Sequence, residues 1–379
     1  MAYSTATSEY LLELLRCGLN ECSPGEKPES VSWSDVFSHA KEHSVSSLAY
    51  FAIGDSLPKT EDCYGVWEDQ YNLYLIQGEN QDYELFRLCG LLEKKLIPHA
   101  PLKGSCMRKL FPIAFLREMC DLDILIPVEY RECVHQLMLE EGYSYEEAHT
   151  TSHNREYHKK PYLNIEIHTD VVPKESALYP YYENVWDRLL PDGEAGRYLL
   201  SWDDFYIFSI AHTYKHYARL GIGIRSVVDI FVLNQKVKEF LHRDYICAEL
   251  DRLGLLSFAR HLEELSEHWF SLAQPSCSCE AMALSEHILR GATYGKDRGV
   301  AANAIDSRVR MGKSLRSAKI DYTLSKIFPN LAFMKSYYSI LRKVPFLFPL
   351  FWPVRWVSIL FKKPGKIKQH FNDIKSADL

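Results

Sequence analysis

One stretch of the sequence decides the fold: DLDILIP, residues 121–127. Its leucine and isoleucine content is typical of a buried strand. Because side chains alternate along a strand, the two aspartates share one face and the aliphatic residues take the opposite, core-facing one. The first set is Asp121 and Asp123, and the second is Leu122, Ile124 and Ile126. Carboxylates about 7 Å apart along one strand indicate either a solvent-exposed strand end or a site for a hard cation such as Mg²⁺.

The neighbouring residues predict a sheet around this strand. Upstream, the short apolar segment 97–102 leads to the turn Gly104-Ser105. The glycine of such a turn lets the backbone approach a phosphate, and the serine hydroxyl can donate to it. Downstream, a helix is predicted over 129–142, and the alternating run YLNIEIHTDVV over 162–172 predicts another strand. Strand, helix and strand in this order indicate an α/β or α+β core.

Helical periodicity dominates on both sides of this core. Apolar residues recur at helical spacing over 8–19, 34–51 and 71–96 before it, and over 203–217, 224–237 and 245–269 after it. The predicted fold is therefore α+β, with four parts in chain order. They are an N-terminal helical region over 1–95, an α/β core over 96–195, a helical domain over 196–335, and a basic tail rich in proline and aromatic residues over 336–379.

A third acidic side chain is expected on the second strand. Alternation along residues 165–170 (IEIHTD) places Glu166, His168 and Asp170 on one face. Either Glu166 or Asp170 can complete the carboxylate cluster, and the isoleucines that flank Glu166 favour it. Such a carboxylate can orient or deprotonate an attacking hydroxyl, or help to hold a metal ion. His168 is expected to support it from the same face.

Two cationic side chains, Lys103 and Arg117, lie near these acids in sequence. Either can help to neutralise a bound phosphate. The alternatives are a surface position for Lys103 and an ion pair with Glu118 or Asp121 for Arg117.

The charge is unevenly distributed along the 379 residues. The net charge is −6, yet residues 307–379 contain 15 Lys/Arg and three Asp/Glu. Such a basic segment is expected to meet an anionic partner: a membrane surface, nucleic acid or the acidic body of the same protein. The apolar stretch 344–361 holds three prolines and Arg355, which disfavour a membrane-spanning helix. It is expected to dock on the protein or to lie at a membrane interface.

Composition favours a cytoplasmic protein. The polar opening MAYSTATSEY contains no secretory signal, and ten scattered cysteines fit an environment that keeps thiols reduced. Peripheral membrane contact through residues 341–379 is the open alternative. No P-loop or Rossmann glycine signature occurs, so Walker-type ATP binding and dinucleotide binding are disfavoured.

The order of the motifs resembles that of the DNA polymerase β-like nucleotidyltransferase superfamily. The resemblance is carried by LKGS over 102–105, REMCDLDILI over 117–126 and Glu166-Ile167-His168, and it extends to HTYKH over 212–216 and to Arg225 with Asp229. Over roughly residues 70–360 the chain looks like a less-studied bacterial branch, known mainly as uncharacterised nucleotidyltransferase-family proteins. The gap between Ser105 and Asp121 is longer than in many members, so KLFPIAFLRE (109–118) is expected to be an extra loop.

The resemblance implies a polymerase β-like sheet core and Mg²⁺-dependent transfer of a nucleoside monophosphate. One or two Mg²⁺ ions would be held by Asp121, Asp123 and Glu166. The nucleoside triphosphate, ATP among the candidates, would be contacted by Lys103, Gly104, Ser105, Arg117, Lys215 and Arg225. The acceptor would be a hydroxyl or phosphate of a small molecule, a protein or an RNA end, and pyrophosphate would leave. The alternative is a nucleotide-binding sensor or scaffold without turnover.

Overall fold

Two compact units make up the chain, as seen in a computed structural model. The first is Met1–Tyr214 with Gly223–Thr293, and the second is Lys215–Ile222 with Tyr294–Leu379. The structure describes residues 3–145, 153–161, 163–174, 176–193, 196–218, 221–290, 314–329 and 344–362, and single positions 331, 334, 338 and 341.

Helices precede the sheet. They are α1 (Thr5–Asn20), α2 (Trp33–Glu42), α3 (Ser46–Ile53) and α4 (Tyr64–Lys94). The single helix predicted over 34–51 is in fact α2 and α3, because Ser44 adopts a φ of 53° between them, which a helix cannot accommodate. The helix predicted over 71–96 is confirmed and begins earlier, at Tyr64.

A five-stranded mixed sheet follows. Its strands are β1 (Ala100–Pro101), β2 (Leu122–Leu125), β3 (Ser144–Tyr145), β4 (Asn154–Lys159) and β5 (Leu163–His168), in the order β1-β2-β5-β4-β3. β2 and β5 are parallel, and the other neighbours are antiparallel. Short helices α5 (Gly104–Met107) and α6 (Arg131–Glu140) lie between strands in the chain. Both strands predicted around the acidic residues are present, but each is shorter than predicted: β2 covers 122–125 of 121–127, which leaves Asp121 outside it, and β5 covers 163–168 of 162–172.

One face of the sheet forms the core. Aliphatic residues of β2 and β5 pack there against α4 and α6; they are Leu122, Ile124, Ile165 and Ile167 of the strands, Leu85, Leu88 and Leu92 of α4, and Val134, Leu137 and Met138 of α6. Burial of each such side chain contributes about 1.5–3 kcal/mol. Because this face is full, the alternate residues Asp123, Glu166 and His168 lie on the opposite one.

The sheet is followed by a small hairpin and more helices. These are α7 (Tyr179–Tyr182), β6 (Leu189–Pro191), β7 (Tyr198–Leu200), α8 (Trp202–Tyr217), α9 (Ile224–Val237), α10 (Arg243–Arg252), α11 (Leu256–Phe270) and α12 (Cys279–Arg290). The helix predicted over 245–269 is two helices, because Gly254 adopts a φ of 68° between α10 and α11.

In the second unit, the apolar stretch folds onto a helix of the same unit. Leu315–Ile327 is helical, and Pro345–Leu350 and Phe351–Lys362 form a 3₁₀ segment and a helix. The indole N–H of Trp352 donates to Pro329 O at 3.0 Å, and that of Trp356 donates to Ile327 O at 2.8 Å. Among the residues described, no helix combines the length and apolar character needed to cross a bilayer.

Candidate active site

The parallel pairing of β2 and β5 brings acidic residues from distant parts of the chain together. Asp123 stands opposite Glu166, and Leu125 stands opposite His168. The ligand atoms of Asp123, Glu166 and His168 all lie within 4.8 Å of one another. Asp121 lies one residue before β2. Burial, together with the charges of Asp123 and Glu166, raises the pKa of Asp121 to about 6, so its carboxyl belongs to the same electrostatic cluster.

Asp123 is the most enclosed member of this acidic cluster. It is 2% exposed, and its Oδ1 accepts hydrogen bonds from Nζ of Lys103 and from Nε2 of His168, the latter at 2.6 Å. Burial alone would raise the pKa of Asp123, but the ammonium of Lys103 and the hydrogen bond from His168 outweigh it and hold the pKa well below its usual range. Asp123 is therefore ionised at neutral pH.

Glu166 is held by neighbours on β4 and β5. Asn154 Nδ2 donates to Glu166 Oε2 at 3.0 Å, and His168 Nε2 lies 3.1 Å from the same oxygen. Burial acts to raise the pKa of Glu166, yet the hydrogen bond from His168 leaves it lowered. Both carboxylates are thus charged at neutral pH, and the His168 ring links them.

The turn before α5 is attached directly to β2. The amide of Leu102 donates to Asp123 O at 2.9 Å. Ser105 is 1% exposed, and its hydroxyl oxygen has no hydrogen-bond partner in the part of the chain that the structure describes. A Cβ on Gly104 would lie 2.4 Å from Met119 Sδ and 2.7 Å from Arg117 Nη1. A larger residue here would therefore have to displace the side chains of Met119 and Arg117.

Arginines tie the residues that precede Asp121 to α9. Arg117 donates to both carboxylate oxygens of Asp229 through Nε and Nη2, each at 2.8 Å. Arg225 Nη1 donates to Glu118 O at 2.9 Å. Arg117 thus forms the ion pair considered from its sequence, but with Asp229 in place of Glu118 or Asp121.

The same segment is anchored to α3 and α4. Glu118 is buried, and its Oε1 accepts from Ser46 Oγ and from the amide of Ser47 at the start of α3, both at 2.7 Å. Burial raises the pKa of Glu118, while the hydrogen bonds from Ser47 and Ser46 act to lower it. The side-chain amides of Gln77 and Gln81 on α4 both donate to Met119 O at 3.2 Å. Helices α3, α4 and α9 together fix the entry into β2.

Two further residues considered from the sequence are Asp170 and Lys215. Asp170 follows the end of β5 by two residues. Lys215 is in the last turn of α8 and is counted with the second compact unit. Sequence reasoning missed Asn154, which reaches the site only because β4 pairs with β5; the polar run NREYHK carries little signal for a strand.

The fold is mixed α and β, and its clustered carboxylates lie beside the Gly-Ser turn. Residues 29–271 match a family model described as "Uncharacterised nucleotidyltransferase". This is more than half of the chain, so the chain belongs to that family. The family and the enzyme class predicted from the sequence are confirmed.

Two further comparisons add little to the family match. No curated protein matches the chain. Among solved structures, the antibiotic-resistance factor ANT(2'')-Ia superposes with a TM-score of 0.34 and 12% sequence identity, covering 48% of this chain and 98% of that one. That structure is described as revealing substrate-regulated conformation dynamics.

Proposed function

We propose that this nucleotidyltransferase is Mg²⁺-dependent, and that it transfers a nucleoside monophosphate from a nucleoside triphosphate to an acceptor hydroxyl or phosphate. We also propose that its sheet is a polymerase β-like core. The observation that supports both is the pairing of Asp123 with Glu166 on parallel strands, with Asp121 one residue before the first strand. Three carboxylates in one small region repel each other, so their convergence indicates a cationic ligand.

The donor set suits Mg²⁺. Asp121, Asp123 and Glu166 offer only carboxylate oxygens, the ligands that this ion takes together with substrate phosphates. We assign these residues to hold one or two Mg²⁺ ions. When bound, the ions neutralise charge that develops on the attacking and leaving oxygens.

The reaction proposed is in-line displacement at the α-phosphorus. The acceptor oxygen forms a bond to that phosphorus, the bond to the α,β-bridging oxygen breaks, and pyrophosphate leaves with the electron pair. If the acceptor is a hydroxyl, its proton passes to Glu166. The bonds from Asn154 and His168 to Glu166 Oε2 orient that carboxylate for this role.

The turn after β1 is proposed to contact the triphosphate. The buried hydroxyl of Ser105 has no partner among the residues that the structure describes, which costs about 1–3 kcal/mol, and a phosphate oxygen would supply the missing hydrogen bond. The Cα of Gly104 is covered by Met119 and Arg117, so any contact from Gly104 would be through its backbone amide. Lys103 supplies positive charge beside this turn.

The arginines near the site are proposed to position it. Two N–H groups of Arg117 donate to Asp229, and Arg225 donates to the backbone carbonyl of Glu118. These contacts support a role in holding the segment before Asp121. Direct contact of Arg117, Arg225 or Lys215 with the nucleotide stays a prediction.

The test is nucleotide binding and turnover by the full chain. Binding of ATP and the other triphosphates with Mg²⁺ is measured by calorimetry, and pyrophosphate release is measured with candidate acceptors. Asp121→Asn and Asp123→Asn should each lower turnover by at least about a hundredfold, with folding checked by circular dichroism. Glu129→Gln, at an exposed position just after β2, is the matched control. Full turnover in either aspartate variant would contradict the assignment of that aspartate to the metal ion. If wild type binds nucleotide but shows no turnover, the alternative of a nucleotide-binding sensor is favoured.

The third carboxylate is tested separately. Glu166→Gln should lower kcat with little change in nucleotide affinity, because its proposed role is in the chemical step. Asp170→Asn should leave kcat close to that of wild type. The reverse pattern would assign Asp170 as the third carboxylate.

A further inference from the structure

Lys103 has a backbone conformation that residues with a Cβ rarely adopt. Its φ is 46° and its ψ is −119°, in the region that favours glycine. Hydrogen bonds hold the chain there on both sides. The amide of Leu102 donates to Asp123 O at 2.9 Å, and the amide of Met107 donates to Lys103 O at 3.0 Å. A lysine kept where glycine would be relaxed indicates that its side chain is needed.

The side chain of Lys103 enters the carboxylate cluster. Its Nζ donates to Oδ1 of Asp123, the same oxygen that accepts from His168. The Lys103 side chain is 21% exposed and that of Asp123 is 3% exposed. The charges of Glu166 and Asp121 also act on the ammonium. One positive charge thus lies among the three carboxylates assigned to Mg²⁺.

An ammonium and a metal ion cannot both use this position. A divalent ion binds carboxylate oxygen at about 2.0–2.1 Å, and the ammonium already lies within hydrogen-bonding distance of Asp123 Oδ1. Like charges that share one buried oxygen also repel strongly in a medium of low polarity. A divalent ion that binds Asp123 through Oδ1 therefore requires that the Lys103 ammonium move away.

We propose that Lys103 is the internal counter-ion of the metal site, an inference that rests on the proposed function. In the metal-free enzyme its ammonium compensates the charge of Asp123 and holds the carboxylates together. When a divalent cation binds, the ammonium leaves Asp123 and turns to the phosphates of the nucleotide. Lys103 thereby makes metal binding weak without nucleotide and strong with it, since the nucleotide phosphates offer the displaced ammonium a new partner.

The experiment measures Mn²⁺ binding to the full chain without nucleotide, by the loss of the free-Mn²⁺ electron paramagnetic resonance signal. Lys103→Met keeps the aliphatic stem and removes the charge. We expect it to bind Mn²⁺ about tenfold more tightly than wild type, and to bind ATP in saturating Mg²⁺ more weakly. Lys103→Gly removes both charge and backbone strain, so it serves if the Met variant folds poorly. Lys109→Met, at an exposed lysine in the following 3₁₀ turn, should change neither affinity.

The outcomes separate this inference from the function on which it rests. Tighter Mn²⁺ binding in Lys103→Met or Lys103→Gly, with ATP binding weakened, supports the counter-ion. If wild type binds Mn²⁺ and these variants bind it equally well or more weakly, the counter-ion proposal is wrong, but the proposal of a metal site is not affected. If neither wild type nor the variants bind Mn²⁺ with or without ATP, the proposal of a metal site is wrong, and the counter-ion proposal is then wrong as well.

Discussion

The ion pair between Arg117 and Asp229 should stabilise the folded protein far more than a surface pair does. The pair is bidentate, at 2.8 Å for each bond, and its side chains are 10% and 16% exposed. Removing one partner from a pair this buried leaves a charge without compensation, at a cost of about 3–5 kcal/mol. Because neither side chain is fully enclosed, we expect the lower end, about 3 kcal/mol, for Asp229→Asn.

A double-mutant cycle isolates the pair itself. Arg117→Met, Asp229→Asn and the double variant are unfolded in urea, and the free energies of unfolding are compared at equal m-value. We expect a coupling energy of about 2 kcal/mol. The matched control is Arg155 with Glu132, also joined by two bonds but with Glu132 74% exposed, for which about 0.2–1 kcal/mol is expected. Equal coupling in the two cycles would refute the view that the pair anchors the segment before Asp121.

Three other variants test packing and charge around the same sheet. Gly104→Ala should lower the free energy of unfolding by about 1–3 kcal/mol, because the new Cβ would lie 2.4 Å from the buried Met119 sulfur. Gly90→Ala in α4, where no atom of the described residues lies within 4 Å of the added Cβ, should raise it by up to about 1 kcal/mol in the same urea assay. A loss of stability at both sites would contradict the reasoning. For Glu84, burial raises the pKa, but hydrogen bonds from Arg87 and a tyrosine hydroxyl outweigh it and lower the pKa below the unfolded value. The stabilisation that ionised Glu84 contributes is therefore present above about pH 4.3 and is lost as pH falls further. The difference in free energy of unfolding between wild type and Glu84→Gln should therefore narrow in acid. A difference that stays constant with pH would contradict this reasoning.

The fold was predictable where its signal is local. Alternation in DLDILIP gives β2, and the flanking isoleucines of Glu166 give β5, because strand periodicity depends only on neighbouring residues. The helix breaks at Ser44 and Gly254 were not foreseen, since apolar spacing continues across both turns. β4 was missed for a related reason. Its residues are polar, and only pairing with β5 stabilises them as a strand.

The acidic residues of the candidate site could be proposed from the sequence, but the contacts around them were harder to predict. The order of Gly-Ser, Asp-x-Asp and Glu indicated the family, and the match over 29–271 confirms it. The partner of Arg117 could not be found from spacing, because Asp229 lies on a helix more than a hundred residues away in sequence. The reason for Gly104 likewise came from packing against Met119.

The sequence by itself determined that Asp123 takes the strand face opposite the aliphatic residues and that a glycine turn precedes it, since alternation and turn chemistry act over a few residues. Only the tertiary structure decided that Glu166 stands beside Asp123, that His168 bridges the two, and that the Lys103 ammonium lies among the carboxylates. Those contacts depend on the parallel register of two strands about forty residues apart, and register is set by burial of the whole opposite face.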